Sequence, residues 1–334
     1  MRNNLILLVF LLLSSSTIRA QVKPIFYLSN YAYDAKTGKL GAVKSLDSIN
    51  LRSLNITGPD AAAISFKNNL LVVKAAARKA GKPLHIAVNG QPFTIIKNEF
   101  IDNKVIAHRG AWKHTGATEN SIASLNAAVQ IGCKGSEFDV HMSADSVLFI
   151  HHDPVIAGLK IEESTAAQLR ALKLDNGETL PTLEEYLTAG MKQQKTKLIL
   201  EIKPSVISKA RGIALEKRVL QMVQDMQAQA WVDYISFDYD ICKALIKDAP
   251  YAKVAYLNGD KSPAELAGEH FFGLDYHLSV FKKNPTWIRE AKALKLDVNV
   301  WTVNEEADMD YFLKEGADVI TTNEPEVLLK KTGV

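Results

Sequence analysis

The sequence predicts an α/β protein, in which a (β/α)8 barrel of the TIM type at residues 104–330 follows a small β-rich domain. From Lys104 onward, short β-branched runs alternate with helical segments, and repeated βα units of this kind build a parallel sheet with helices outside it. The alternation lasts for about 230 residues, close to the ~250 typical of such a barrel. Polar side chains also collect where the predicted strands end, which is the barrel face that carries active sites.

Nine segments are predicted to be strands, one more than a barrel needs. The surplus falls within residues 137–152, where two strands are joined by Ser143-Ala144-Asp145-Ser146. This joint is too short for a crossover helix, so we expect a hairpin or a local irregularity there. The predicted strands are Val105–His108, Glu137–Met142, Val147–His152, Leu198–Lys203, Tyr234–Phe237, Val254–Leu257, Leu274–His277, Val298–Thr302 and Val319–Thr322.

Helical patterns occupy the segments between these strands. The competing architecture is a doubly wound open sheet, whose dinucleotide-binding version carries GxGxxG after the first strand. No such motif follows the first predicted strand, which weakens that version. The predicted helices include Ser121–Ile131, Leu183–Lys192, Ala214–Ala228, Ile241–Lys247, Trp287–Leu294 and Ala307–Leu313.

Residues 22–100 have a different texture, with short β-like runs separated by turn signals. Asn89-Gly90 joins His85–Val88 to Phe93–Ile96, and Asn-Gly between such runs is a strong hairpin signal. A weaker hairpin is predicted at Asn68-Asn69. We expect a small sandwich-like β domain here. It serves either as an adhesion or oligomerisation module or as a cover for the barrel's edge.

Residues 1–20 have the pattern of a secretory signal peptide. Arg2 supplies the positive start, Leu5–Leu13 is an unbroken apolar run, and a small, polar stretch ends at Ala20. The apolar run is shorter than the ~20 residues of a membrane span. We expect cleavage after Ala20, export to the periplasm or the extracellular space, and no stable membrane insertion, with an uncleaved anchor as the alternative. Loss of Arg2 and Arg19 lowers the formal net charge from +3 to +1.

Composition and charge narrow the function classes. Of the 334 residues, 47% are hydrophobic and 23% charged, which is typical of a folded protein and not of a disordered one. No block of like charge is present, so the sequence gives no support to nucleic-acid binding. Cys133 and Cys242 have neither zinc-site spacing nor the density of a disulfide scaffold, and we expect two buried free thiols. The oligomeric state stays open.

The polar residues at the strand ends form recurring short groups. Side chains two apart on a strand share a face, so Glu137 and Asp139 can point into the barrel together, as can Glu201 and Lys203. The groups are His108-Arg109-Gly110, Glu137-Phe138-Asp139, His151-His152-Asp153, Glu201-Ile202-Lys203 and Trp301-Thr302-Val303-Asn304.

Three carboxylates converging at a barrel mouth require a cation between them. Oxygen ligands suit one hard divalent ion, Ca²⁺ or Mg²⁺, whereas zinc is disfavoured because no His or Cys pair has ligand spacing. The alternative is a strand with one polar face in solvent, since Glu137 and Asp139 alternate with Phe138 and Val140. Inside a barrel the same alternation would aim unpaired charge into a packed interior, which is costly.

Arg109 and Lys203 beside such a cation suit an anionic substrate, because the arginine fork matches phosphate. Two histidines can divide general acid and general base work near neutral pH. Together these groups indicate attack on a phosphoester. The alternatives are a capping or surface role for His108 and Arg109, and a loop position before Pro204 for Lys203. Trp301 is either barrel core or an aromatic wall for the substrate.

This ordered set of motifs resembles the glycerophosphodiester phosphodiesterase family, of the phospholipase C-like phosphodiesterase superfamily, over about residues 104–330. Single pieces are weak signals, whereas their order along the chain is specific. The matching stretches are Ala107-His108-Arg109-Gly110, Glu119-Asn120-Ser121, Glu137-Phe138-Asp139-Val140, Phe149-Ile150-His151-His152-Asp153-Pro154, Leu200-Glu201-Ile202-Lys203 and Val300-Trp301-Thr302-Val303-Asn304.

The resemblance implies a TIM-type barrel, a divalent cation and hydrolysis of glycerophosphodiesters to sn-glycerol 3-phosphate and an alcohol. It implies the following roles: an acid/base pair of His108 and His152, metal ligands at Glu137, Asp139 and Glu201, and phosphate contacts from Arg109 and Lys203. Glu119 and Asn120 either belong to the site or simply begin the first helix, where acidic residues and Asn are favoured.

The chain departs from the family pattern in two places. Two histidines precede Asp153 where the family has one; neighbouring strand positions face opposite ways, so we expect His152 to point inward and His151 outward. Some members carry a long insertion after this strand, whereas residues 154–182 hold only a short helical stretch. The headgroup preference therefore stays open.

Two other functions are compatible with parts of this sequence. One is a phospholipase D-like enzyme acting on intact lipid, which needs an apolar docking surface, and no amphipathic membrane segment is evident in the sequence. The other is a non-catalytic barrel that binds phosphoesters or glycans. The complete motif set argues against that second alternative.

Overall fold

The computed structural model describes residues 26–46, 54–67 and 70–333. The predicted signal peptide and the joint Asn68-Asn69 lie outside the described residues. The strands are β1 (Phe26–Leu28), β2 (Ala32–Tyr33), β3 (Lys39–Ser45), β4 (Ile56–Thr57), β5 (Ile64–Lys67), β6 (Leu70–Val73), β7 (Leu84–Val88), β8 (Gln91–Lys97), β9 (Val105–Ala107), β10 (Gly135–Met142), β11 (Leu148–Ile150), β12 (Val155–Ile156), β13 (Leu159–Lys160), β14 (Lys197–Ile202), β15 (Val232–Ser236), β16 (Val254–Tyr256), β17 (Gly273–His277), β18 (Asp297–Trp301) and β19 (Val319–Thr322).

Helices connect the barrel strands, and several begin at side chains that cap them. Ser121, Thr182 and Ser262 each accept a hydrogen bond from the backbone three residues on, within a reciprocal capping box. The helices are α1 (Ala75–Ala80), α2 (Ile122–Ile131), α3 (Ala166–Arg170), α4 (Leu183–Gly190), α5 (Lys209–Asp225), α6 (Tyr239–Asp248), α7 (Pro263–Gly268), α8 (Leu278–Lys283), α9 (Trp287–Ala293), α10 (Glu306–Glu315) and α11 (Pro325–Thr332). α5 begins five residues before its predicted start because Ser208 caps it.

Eight parallel strands close into a barrel in the order β9-β10-β14-β15-β16-β17-β18-β19, and β9 closes the ring by pairing with both β10 and β19. The predicted (β/α)8 barrel with an N-terminal β-rich region is thereby confirmed. The ninth predicted strand, β11, pairs antiparallel with the end of β10, as the short joint between them required. β11 thus forms a hairpin outside the ring of eight.

The barrel interior alternates between apolar and polar layers. Ile106, Ile199, Ile235 and Val319 pack together in the centre, away from the larger core between strands and helices. Charged side chains on the same strand faces lie toward the two ends. At the carboxyl end they belong to the residues singled out in the sequence.

The N-terminal region contains two four-stranded sheets, in the orders β1-β3-β6-β5 and β2-β8-β7-β4. The Asn89-Gly90 hairpin joins β7 to β8, with both turn residues at positive φ. The region contacts segments that precede barrel strands: the Tyr31 ring lies 5.2 Å from that of Tyr251, and Thr94 donates to Gln227. It therefore covers the amino-terminal end of the barrel, opposite the end that carries the polar residues singled out in the sequence.

Both cysteines, Cys133 and Cys242, are buried free thiols, as predicted. Burial raises the pKa of the Cys133 thiol to about 12, so it stays protonated at neutral pH. Among the described helices, none combines the length and the apolar character that crossing a bilayer requires.

Candidate active site

Three buried carboxylates lie together at the carboxyl end of two neighbouring strands. Glu137 and Asp139 are on β10 and Glu201 is on β14, where Asp139 and Glu201 are directly paired in the parallel register. One oxygen from each carboxylate lies within 4.8 Å of the others. The three residues are at most 6% exposed. The polar side chains that alternate with apolar ones along β10 therefore point into the barrel interior and not into solvent.

Crowding of these carboxylates shifts their ionisation. Burial, followed by the charges of Asp139 and Glu201, raises the pKa of Glu137 well above its usual range. Burial and the Asp139 charge raise the pKa of Glu201 to about 8. Burial also opposes ionisation of Asp139, but Lys203 and His152 outweigh it and lower the pKa of Asp139 to about 2. The cluster holds more negative charge than its protein surroundings neutralise.

Lys203 lies inside this cluster. Its Nζ is 2.9 Å from Glu201 Oε1 and 3.2 Å from Asp139 Oδ1. These are ion-pair contacts without directed hydrogen-bond geometry, and both oxygens lack a hydrogen-bond partner in the described residues. Three buried carboxylates that converge on one point, with a single lysine among them, fit a hard divalent cation. The donor set thus matches the predicted cofactor class, one divalent cation.

Arg109 follows β9 in a left-handed backbone conformation, with φ of 58°. Its backbone N–H donates to Glu137 Oε2 at 2.9 Å, and one guanidinium nitrogen donates to both oxygens of Glu119 at 2.9 and 3.0 Å. Its Nε is buried, 3.9 Å from Asp139 Oδ2, without a hydrogen-bond partner in the described part of the chain. The arginine is therefore anchored on one side and has a free donor on the other.

His108 lies beside Glu137, with 3.9 Å between His108 Nε2 and Glu137 Oε2. Its Nδ1 is 2.7 Å from Asn323 Oδ1. Burial and the nearby Arg109 lower the pKa of His108 to about 4, so the ring is neutral at pH 7. With Asn323 Oδ1 as the acceptor, Nδ1 carries the proton and Nε2 keeps its lone pair.

His152 follows the β11 hairpin strand and lies across the same cavity. Its Nδ1 is 2.8 Å from Asp153 Oδ1, and its backbone carbonyl accepts a hydrogen bond from His141 Nε2 at 3.1 Å. His151 does not line the cavity; its backbone N–H donates to the carbonyl of Asp139 and holds the hairpin end against β10. The two adjacent histidines therefore have different surroundings.

Six of the eight residues predicted for the site line one cavity of about 100 Å³, while Asp139 and Lys203 lie behind it in the carboxylate cluster. Trp301 forms part of the wall, half-buried, with its ring 5.5 Å from Phe237 in an edge-on arrangement. The six are His108, Arg109, Glu137, His152, Glu201 and Trp301.

Three further residues support the site: Glu119 and Asn120, for which the sequence left a site role open, and Asn323, which the sequence analysis did not identify. Asn120 is buried and exchanges two hydrogen bonds with Asp139, and Glu119 binds Arg109, so neither belongs to the helix that begins after Ser121. Asn323 orients His108 from 215 residues away. Its place directly after the last barrel strand is the signal that could have identified it.

Residues 154–182 contain the β12–β13 hairpin, a single 3₁₀ turn and the five-residue helix α3. This agrees with the short segment expected there. Glu162, in the 3₁₀ turn, accepts hydrogen bonds from Ser205 and Val206 and thereby ties this segment to the loop after β14. The two loops form one side of the barrel mouth.

Comparison with known proteins places this geometry in a family. A glycerophosphodiester phosphodiesterase of Caldanaerobacter subterraneus is 27% identical over 242 residues, which are 67% of this chain and 96% of that protein. A solved glycerophosphodiester phosphodiesterase from Parabacteroides distasonis is 44% identical with a TM-score of 0.68, covering 70% of this chain and 98% of the other. An Oleispira antarctica phosphodiesterase, solved with the product sn-glycerol-3-phosphate, is 25% identical with a TM-score of 0.60, covering 70% and 97%.

The model of the glycerophosphoryl diester phosphodiesterase family matches residues 108–327, which begin at His108 and include every predicted site residue. The N-terminal sheets lie outside this match. The family expected from the sequence motifs is confirmed, and with it an enzyme of the phosphoric diester hydrolase class. The chain belongs to the glycerophosphoryl diester phosphodiesterase family.

Proposed function

We propose that this protein hydrolyses glycerophosphodiesters to sn-glycerol 3-phosphate and an alcohol, with one divalent cation, Ca²⁺ or Mg²⁺. The observation that carries the proposal is a cavity lined by two histidines, an arginine and two buried carboxylates, with a third carboxylate, Asp139, clustered behind them. Family membership supplies the reaction class, and the small cavity agrees with a small-molecule substrate.

Glu137, Asp139 and Glu201 would hold the cation. When bound, it supplies Lewis-acid stabilisation of the negative charge on the phosphoryl oxygens. The close approach of the three carboxylates, which one lysine neutralises only in part, supports this assignment. Asn120 keeps the Asp139 carboxylate oriented through two hydrogen bonds.

Arg109 and Lys203 would contact the phosphate. Glu119 anchors one guanidinium nitrogen of Arg109, which lines the cavity, and the Nε of the same group keeps a donor without a hydrogen-bond partner in the described residues. Preorganised donors of this kind stabilise developing negative charge without further rearrangement. Lys203 balances part of the negative charge of Asp139 and Glu201.

His108 and His152 would transfer the protons. His108 is neutral and keeps a free lone pair on Nε2, which suits the general base that deprotonates the nucleophile. His152 has its Nδ1 on the Asp153 carboxylate, which stabilises an imidazolium and suits the general acid that protonates the leaving alkoxide. The nucleophile is either water or the glycerol 2-hydroxyl, and the latter would give a cyclic phosphate that is hydrolysed afterwards.

The test is release of glycerol 3-phosphate from glycerophosphocholine and glycerophosphoethanolamine with Ca²⁺, with Mg²⁺ and with EDTA. We expect cation-dependent release by the wild type and loss of at least about a hundredfold in His152→Ala. His85→Ala is the matched control, because His85 is an exposed histidine on β7, far from the cavity. A folded, cation-supplied protein that releases nothing from either diester would contradict the proposal.

Intact phosphatidylcholine belongs in the same assay, because Val206 and Ile207 are 62% and 52% exposed on the loop after β14, at the barrel face that carries the site. Two exposed apolar residues there favour the phospholipase D-like function as the second candidate. If the protein hydrolysed the intact lipid but neither of the water-soluble diesters, the phospholipase D-like function would replace the first proposal.

We also propose export of the protein through a signal peptide cleaved after Ala20. The support is the charge and hydropathy pattern of residues 1–20. Mass spectrometry of the protein recovered from its native host should find Gln21 at the amino terminus. Recovery of the full 334 residues from the cytoplasm would contradict export.

A further inference from the structure

A buried polar network lies inside the barrel. Asn299 on β18 donates through Nδ2 to Asp275 Oδ2 at 2.8 Å and to Thr321 Oγ1 at 2.9 Å, and Thr321 donates back to Asn299 Oδ1 at 3.2 Å. Asp275 is 2% exposed and Thr321 3%. The remaining carboxylate oxygen, Asp275 Oδ1, has no hydrogen-bond partner among the described residues. None of the three belongs to the motifs that identify the family.

This network forms the floor of the catalytic cavity. Asp275 and Thr321 line the same cavity as His108 and Trp301. Along β17 and β18, Asp275 and Asn299 each precede by two residues the paired positions His277 and Trp301, so they lie one inward-facing layer deeper. Trp301 Nε1 donates to the Asp275 carbonyl at 2.8 Å and fixes the wall to the floor.

A carboxylate with one oxygen bound and one unpartnered is built to accept a further hydrogen bond. Burial without a partner is costly, and for a residue that lines a cavity a ligand or a water that donates to the free oxygen offsets this cost. A phosphate at this depth would be repelled by Asp275, and an alkyl group would leave the oxygen unpaired. A neutral polyol supplies O–H donors, and the apolar side chains of Ile235 and Leu257 beside it suit C–H groups.

We propose that Asp275, oriented by Asn299 and Thr321, is a specificity-determining residue that accepts a hydrogen bond from a glycerol hydroxyl of the substrate. This inference rests on the proposed function, because it takes the glycerol phosphate end of the diester as the group that enters the cavity. It assigns the recognition of glycerol to the barrel floor, beneath the groups that handle the phosphate.

Asp275 also borders a second cavity of about 150 Å³ on the amino-terminal side, lined by the charged residues Lys197, Asp233 and Asp297. A role confined to that side would leave recognition of glycerol unaffected. Binding measurements on two ligands that differ only in their hydroxyl groups separate the two roles.

The experiment titrates sn-glycerol 3-phosphate and 1-propyl phosphate, which lacks both hydroxyls, into the full-length protein with Mg²⁺ by calorimetry. We expect the wild type to prefer glycerol 3-phosphate by about 10- to 100-fold, the range of one hydrogen bond to a charged group. Asp275→Ala should reduce this preference to near unity without weakening the binding of propyl phosphate. Asn299 keeps Thr321 as a partner in this variant, but the Nδ2 hydrogen that Asp275 accepted loses its acceptor, so circular dichroism first checks that the variant is folded.

Asp275→Asn keeps the volume and the contact with Asn299 but presents an N–H to the cavity, and it should lose part of the preference. It decides the question if the alanine variant does not fold. Glu216→Gln is the matched control, since it neutralises an equally buried carboxyl on α5, outside this cavity, and should keep the full preference.

Equal affinity of the wild type for the two phosphates, or an equal loss for both in the Asp275 variants, would overturn the inference. Failure of the proposed function gives a different result. In that case the wild type releases no product from any diester, while its preference for glycerol 3-phosphate and the dependence on Asp275 are still measurable.

Discussion

Glu216 gives a quantitative prediction of how stability depends on pH. This side chain lies on α5, is fully buried, and neither of its carboxylate oxygens has a hydrogen-bond partner in the described residues. Burial, reinforced by the charge of Asp248 and opposed by that of Lys217, raises its pKa from 4.5 to about 8. The folded protein therefore keeps a proton on Glu216 that the unfolded chain releases at lower pH.

The sign of the effect follows from this difference in proton binding. Below pH 4.5 the group is protonated in both states and has no effect on stability; between pH 4.5 and about 8 the unfolded state gains by ionising, so stability falls as the pH rises. Above that window the loss is constant. At about 1.4 kcal/mol per pKa unit, the shift corresponds to at most about 5 kcal/mol.

Glu216→Gln removes the ionisation and keeps the shape. We expect the variant to match the wild type near pH 5 and to exceed its free energy of unfolding by about 2–5 kcal/mol at pH 9. Urea unfolding from pH 5 to 9, followed by circular dichroism, measures this difference. The other buried carboxyls titrate in both proteins, so their contributions cancel in it.

Glu184→Gln is the control, because Glu184 is an exposed carboxylate on another helix, α4, and its neutralisation should shift the curve little at any pH. Parallel stability curves for the wild type and Glu216→Gln would contradict this pH dependence. They would mean that Glu216 reaches solvent or a partner that satisfies its charge.

Three further predictions concern the site and its support. Asn323→Ala should lower kcat about tenfold or more with little change in KM, because His108 loses the partner that orients its ring. Steady-state kinetics measures both constants, and an unchanged kcat would contradict this role of Asn323. Gly110→Ala should lower the free energy of unfolding by more than about 2 kcal/mol, since φ is +80° and a Cβ would lie 2.6 Å from the Ser124 backbone. Denaturant unfolding measures this loss. A variant as stable as the wild type would contradict the close contact. A protein that begins at residue 104 should have a Tm roughly 10 °C below that of a protein that begins at residue 22, because removing the N-terminal sheets uncovers the contact at Tyr251. A shift of this size follows from about 2–4 °C per kcal/mol of lost stability. Equal Tm values would show that the sheets do not stabilise the barrel.

Much of the fold can be predicted from short-range patterns in the sequence. The alternation of β-branched runs with helical segments predicted the barrel, and the four-residue joint after Met142 predicted the β10–β11 hairpin. These features could be predicted because strand and helix periods, turn chemistry and capping act within a few residues. The predicted start of α5, Ala214, lies five residues after the observed one. Ser208, a residue type that commonly caps helices, marks the true start.

The residue types at the strand ends can be identified from the sequence, and they indicate the family and the reaction class. Which of these groups meet depends on the tertiary fold. The pairing of His108 with Asn323, the network from Asp275 to Thr321, and the N-terminal sheets on the amino-terminal end of the barrel all join distant segments. Local propensity has no information about such contacts, because barrel closure brings first and last strands together and burial then fixes each side chain's partners and ionisation.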